Sequence, residues 1–135
     1  MEYQEQARRF IEALHALEGG DDGGLDRICG LFSDDAVLTN AALRLADKEY
    51  RGRSGVREFW QAYRGTFAAI RSEFSHVTAG DGAAGLFWSS AGQDASGQPV
   101  SYDGVSLLEF DQSGRIARFR GYYDTRQLVS EVGGR

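Results

Sequence analysis

Tyr102–Asp124, YDGVSLLEFDQSGRIARFRGYYD, carries the clearest strand–turn–strand pattern in the chain. Val105, Leu107, Leu108 and Phe110 make an apolar run, and Asp111-Gln112-Ser113-Gly114 supplies turn chemistry, with Gly114 free to take positive φ. Ile116 to Tyr123 then alternates polar and apolar residues with period two, the mark of a strand whose faces see different surroundings. The stretch predicts two long strands joined by a tight turn. Such a hairpin is not stable alone in water and needs helices or further strands over its apolar face.

The chain has 135 residues, the size of one domain (1–135) with a core of its own. Its 41% hydrophobic and 26% charged residues are ordinary globular composition. A net charge of -5 gives no basic field for a phosphate backbone, so no nucleic-acid partner is expected. The apolar runs are too short to span a membrane, and Met1-Glu2-Tyr3-Gln4-Glu5 has neither the basic nor the apolar region of a signal peptide. Cys29 is the sole cysteine, so no intrachain disulfide can form and a cytoplasmic location is expected. His15, Cys29 and His76 show no metal-ligand spacing. Gly19 to Gly24 follows a helix and lacks the lysine of a phosphate loop. Neither metal nor cofactor is expected.

Ahead of the hairpin, Ala7, Phe10, Ile11, Leu14 and Leu17 recur at helical spacing and predict an amphipathic helix over 4–18. Leu25, Ile28, Leu31 and Phe32 predict a second over 24–32, followed by a short strand at 36–40. Residues 41–52 fit either a helical turn or a loop. Ser54 is a suitable N-cap for a third helix over 55–70, with Val56, Phe59, Trp60, Tyr63, Phe67 and Ile70 as its apolar stripe. Strands are predicted at 72–79, 83–91, 99–110 and 115–124, and the tail from Arg126 gives no reading. Helices followed by a meander of strands mean α+β.

Several stretches resemble the nuclear transport factor 2-like superfamily, in its SnoaL-like and ketosteroid isomerase-like branch. They are Phe10 to Leu14 (FIEAL), Leu31 to Leu38 (LFSDDAVL), Tyr50 to Trp60 (YRGRSGVREFW), Leu86-Phe87-Trp88, and Arg120 to Asp124 (RGYYD). The resemblance covers residues 6–128. It implies a cone-shaped, curved antiparallel sheet wrapped around three N-terminal helices, a cystatin-like α+β barrel. It also implies a homodimer formed through the sheet and an apolar pocket for a small molecule.

The functional positions that the resemblance carries over are mostly vacant. The isomerase base falls on Asn40, its oxyanion tyrosine on Phe10 and its protonated acid on Ser106. The charged set of the epoxide hydrolase relatives falls on Ser89, Phe87 and Gly121, with Leu38 in place of a water-binding tyrosine and Asn40 on the water-binding asparagine. The acid of the cyclases also falls on Gly121. General base catalysis contributes roughly 10²–10⁴-fold and one oxyanion donor about 10²–10³, so these mechanisms are not expected in their known form.

Period two places Tyr102, Ser106, Phe119, Gly121 and Tyr123 inside, and Asp103, Arg118, Arg120, Tyr122 and Asp124 outside. Arg118, Arg120 and Asp124 are expected to form an ion-pair cluster. The expected function is binding of a small hydrophobic, ring-containing ligand in a pocket lined by Phe10, Leu38, Asn40, Trp60, Tyr63, Phe87, Tyr102, Ser106, Phe119 and Tyr123. The alternative is an isomerase, cyclase, dehydratase or epoxide hydrolase with relocated acid–base groups, for which Asn40 and His76 are the catalytic candidates. A third possibility is a protein–protein module with a filled cone.

Overall fold

The computed structural model describes residues 2–128; the ends of the 1–135 domain, including tail residues 129–135, lie outside the described residues. Helix α1 (Tyr3–Glu18) buries Ala7, Phe10, Ala13, Leu14 and Leu17 and stops at Gly19, whose N–H bonds the His15 carbonyl. Helix α2 (Gly24–Cys29) follows, then strand β1 (Phe32–Asn40), the short helix α3 (Ala41–Leu45) and the two-residue strand β2 (Tyr50–Arg51). Helix α4 (Gly52–Thr66) leads into a meander of β3 (Phe67–Gly80), β4 (Ala83–Asp94), β5 (Pro99–Phe110) and β6 (Ile116–Tyr123).

The six strands form one curved, unclosed sheet in the order β2-β1-β6-β5-β4-β3. The Tyr102–Asp124 stretch forms the β5–β6 hairpin. Its turn is held by Asp111 Oδ1, which accepts the N–H groups of Ser113 and Arg115, and by Gly114 at φ 89°. The pairing is antiparallel throughout except between β1 and β6, which run parallel. Helix α1 packs on β3 and β4, and α4 on β1. The core between them holds Phe10, Leu14, Phe32, Leu38, Phe59, Trp60, Leu86, Leu108 and Phe119.

Among the boundaries that differ from the sequence expectation, three have a clear local cause. Helix α4 starts at Gly52 after Arg51 with no side-chain cap, so Ser54 lies inside the helix and is not its N-cap. The same helix ends at Thr66, because Phe67 and Ile70 belong to β3, where they pack with Val100 and Tyr102. A bulge between Phe67 and Ala69 adds one residue to the strand. Two inward side chains therefore sit three apart, which imitates helical spacing. Helix α2 stops at Cys29, because Phe32 already pairs with Ile116 of β6.

Arg118, Arg120 and Asp124 do not form one cluster. Arg120 pairs with Glu109 across the hairpin at 2.7 Å, and Asp124 with Arg126 at 3.0 Å. No helix among the described residues is long and apolar enough to cross a membrane.

Candidate functional site

The concave face of the sheet is built in cross-strand rows, because opposed residues of neighbouring strands share a face. Ser72, Ser90 and Tyr102 form one row, and Phe74, Trp88, Gly104 and Tyr123 the next. Leu86, Ser106, Gly121 and Asn40 form the row after that. Gly104 is required where it stands. A Cβ there would lie 2.2 Å from the Tyr122 carbonyl oxygen and 2.8 Å from the Trp88 ring. Its absence lets the indole lie across β5.

Helices α1 and α4 bring Phe10, Leu14, Phe59, Trp60 and Tyr63 over these rows. Between them is a cavity of about 70 Å³, lined also by Asn40, Ser72, Trp88, Ser90, Tyr102, Ser106, Phe119, Gly121 and Tyr123. Its walls are aromatic. Trp60 stands 5.2 Å from Phe119 and 5.7 Å from Tyr63 between ring centroids, and Tyr102 stands 5.2 Å from Trp88 and 5.4 Å from Tyr123. A second space of about 250 Å³ adjoins it, bounded by Ala42 and Leu43 of α3 and by Leu128, and shares Asn40, Phe59, Tyr63, Tyr102 and Tyr123 as lining.

The polar groups are few and specifically placed. Trp88 Nε1 donates to Ser106 Oγ at 3.0 Å. Trp60 Nε1 is buried and has no hydrogen-bond partner among the described residues. Asn40 Oδ1 accepts the Leu43 N–H at 2.8 Å and so caps α3. At the end of α1, Glu18 is only 4% exposed. Its Oε2 accepts the Tyr63 hydroxyl and the Ser72 hydroxyl, both at 2.6 Å, and its Oε1 accepts the Ser72 N–H at 2.9 Å. Ser90 Oγ lies 2.6 Å from Ser72 Oγ.

Burial, reinforced by the Glu18 charge, holds the Tyr63 phenol well above its ordinary pKa. Burial, with Tyr123 and Glu18 nearby, raises that of Tyr102. Tyr123 is raised by burial against an opposing hydrogen bond from the Ala42 backbone. All three are neutral phenols at pH 7, able to donate as well as accept. Among the described residues no three His, Cys, Asp or Glu side chains gather as metal ligands.

Of the residues predicted for the site, Phe10, Asn40, Trp60, Tyr63, Tyr102, Ser106, Phe119 and Tyr123 line the cavity together. Three do not. Leu38 is wholly buried in the core. Phe87 is 40% exposed on the convex face, and His76 is exposed beside it, with Nδ1 3.0 Å from Ser75 Oγ. A bulge between Phe74 and His76 explains the histidine, whereas Phe87 faces out because β4 alternates without a break and its neighbours Leu86 and Trp88 face in. Ser72 and Phe74 point inward, and strict alternation would bring His76 in as well. The extra residue reverses the phase and turns Val77 to the core in its place.

Glu18, Ser72 and Ser90 are polar residues that the sequence reading did not select. The available signal was small hydroxyl residues at inward positions of β3 and β4.

The sequence profile of the SnoaL-like domain matches residues 7–119. Two solved structures share the fold. An NTF2-like protein of unknown function from Exiguobacterium sp. 255-15 superposes with a TM-score of 0.73 at 18% identity, covering 88% of this chain and 98% of that one. An NTF2-like protein of unknown function from Burkholderia pseudomallei K96243 superposes with a TM-score of 0.81 at 15% identity, covering 98% of each chain. No functionally curated protein sequence matches this one. With the profile running from α1 into β6 and the same sheet-and-helix arrangement in both structures, the chain belongs to the SnoaL-like family of NTF2-like proteins.

Proposed function

We propose that this protein binds a small hydrophobic, ring-containing molecule in the aromatic cavity, without the catalytic sets of its better-known relatives. One observation carries the reading. The indole N–H of Trp60 lies buried at an otherwise apolar wall with no acceptor among the described residues. A buried donor left unpaired costs about 1–3 kcal/mol, and a ligand carbonyl, ether or hydroxyl oxygen would relieve it.

Size sets the mode of binding. The inner chamber, at about 70 Å³, is under half the roughly 150 Å³ that holds benzene in an engineered apolar cavity. With the adjoining 250 Å³ space, the site reaches the ~300 Å³ at which small-molecule pockets begin. A ring therefore seats across both spaces, beneath α3, which serves as the lid. We also propose that two copies pair through the convex sheet face. There His76, Phe87, Val105 and Tyr122 form a row across four strands, with Phe87 and Tyr122 exposed.

Native mass spectrometry of the purified protein, followed by a thermal-shift panel of steroids, polyketide-like aromatics, terpenoid epoxides and short hydrophobic acids, tests both points. A dimer stabilised by one class, with the effect reduced in Trp60→Phe, supports the reading. A protein that no class stabilises refutes it.

A second reading, an acid–base enzyme with relocated groups, is favoured by the buried Glu18 carboxylate bonded to cavity-lining hydroxyls. It requires turnover that Glu18→Gln abolishes.

A further inference from the structure

The hydrogens of the wall beside Glu18 can be counted. A carboxylate only accepts, and each hydroxyl has one hydrogen to give. The Tyr63 hydrogen goes to Glu18 Oε2, and so does the Ser72 hydrogen. Ser72 then has none left for Ser90, so the Ser90 hydroxyl must donate to Ser72 Oγ across their 2.6 Å contact. All three hydroxyl hydrogens point back towards one carboxylate. Their oxygens, on residues that line the cavity, retain lone pairs and no hydrogen to offer.

The other polar groups of the lining have the reverse polarity. Ser106 Oγ accepts from Trp88 and keeps its own hydrogen, Asn40 commits its oxygen to Leu43 and keeps its amide hydrogens, and Trp60 can only donate.

The charge behind the accepting wall also lacks a counter-ion. Glu18 forms no ion pair among the described residues. His15, one turn earlier on α1, gives its Nε2–H to the Ser72 carbonyl oxygen instead, at 2.8 Å. A buried carboxylate held only by neutral donors, next to an aromatic enclosure, favours a positive or hydrogen-donating group.

Building on the binding proposed above, we infer that Tyr63, Ser72 and Ser90, polarised by Glu18, form an accepting wall that selects ring-containing ligands bearing an N–H or O–H head group. The protein discriminates among hydrophobic molecules by that donor, and a protonated amine satisfies the wall better than an alcohol.

The test uses the full chain and three small probes: benzyl alcohol, its isomer anisole, which accepts but cannot donate, and benzylamine. The chain's two tryptophans, Trp60 and Trp88, both line the cavity, so their indole N–H resonances report occupancy directly. Benzyl alcohol is expected to bind about ten-fold more tightly than anisole, as one hydrogen bond to a charge-polarised acceptor allows, and benzylamine at least as tightly as the alcohol. Glu18→Gln, which places an amide among the acceptors and releases a hydroxyl hydrogen towards the cavity, should remove the preference for benzyl alcohol over anisole. Ser90→Ala sits at the outer end of the chain of bonds and leaves Glu18 and Ser72 paired, so it should reduce the preference even if Glu18→Gln does not fold. Anisole binding as tightly as benzyl alcohol, or a preference undiminished in Ser90→Ala, overturns this inference and leaves the binding site standing. If none of the three shifts either indole, the binding site falls and the inference falls with it.

Discussion

Tyr63→Phe isolates what the buried carboxylate depends on. The substitution deletes one oxygen and leaves the ring on its neighbours Trp60 and Phe67, 5.7 Å and 5.6 Å away between centroids. Glu18 Oε2 then has one donor where it had two. A hydrogen bond to a charged group is worth about 1.5–3 kcal/mol, against about 1 kcal/mol for a neutral pair. A domain of this size loses roughly 3–5 °C of melting temperature per kcal/mol, so the fall is on the order of 10 °C.

Urea unfolding of four proteins (wild type, Tyr63→Phe, Glu18→Gln and the double variant) measures it as a cycle. The cost of Tyr63→Phe should shrink to about 1 kcal/mol or less once Glu18 is glutamine, because the acceptor's charge is gone. A loss under about 0.5 kcal/mol, the range of an ordinary surface change, would refute the argument. So would the same loss in both backgrounds.

Three further outcomes follow from the geometry. Gly104→Ala forces a methyl group against the Tyr122 carbonyl and the Trp88 ring; it should cost about 1–3 kcal/mol and alter indole fluorescence, and a silent variant would contradict the packing. Asn40→Ala removes the cap of α3; it should cost about 1 kcal/mol and speed hydrogen exchange at the Leu43 amide, whereas unchanged exchange would show that the cap is not made in solution. Stability should fall in alkali, because folded Tyr63, Tyr102 and Tyr123 keep protons that the unfolded chain releases near its ordinary phenol pKa of 10.0. The contribution is complete below that pH and is lost above it as pH rises towards the raised folded values, at about 1.4 kcal/mol per pH unit for each tyrosine affected; urea midpoints that stay level between pH 8 and 11 would contradict the burial of these phenols.

Much of the architecture was legible because it rests on periodicity. The α1 stripe, the turn chemistry of Asp111 and Gly114, and the alternation from Phe119 to Tyr123 each report a local geometry that the sheet then uses unchanged. What could not be read was phase. Each bulge in β3 inserts one residue, and from there every later side chain changes face. Ile70 thereby joined a helical stripe on paper, and His76 looked available to the site. Glu18 was hidden for another reason. An acid followed by Gly19 and Gly20 reads as a solvated helix end, and only Tyr63 and Ser72, far along the chain, explain why it is buried. Burial of a charge is decided by its partners, and those partners are distant in sequence.

The parallel pairing of β1 with β6 has a consequence for how the chain reaches this state. Strand β1 pairs early with the two residues of β2, but its other partner starts only at Ile116, so nearly the whole meander must be made before β1 can join the main sheet. Closing so long a loop is slow, and contacts of high sequence separation form late. The β3–β4–β5 hairpins are local and can form first. During synthesis β1 and its helices wait with apolar surface uncovered until nearly all the described chain has been made, which is when the protein is most exposed to aggregation. Pulse-labelled hydrogen exchange should show β3–β5 protected before β1; simultaneous protection would mean that the sheet assembles in a single step.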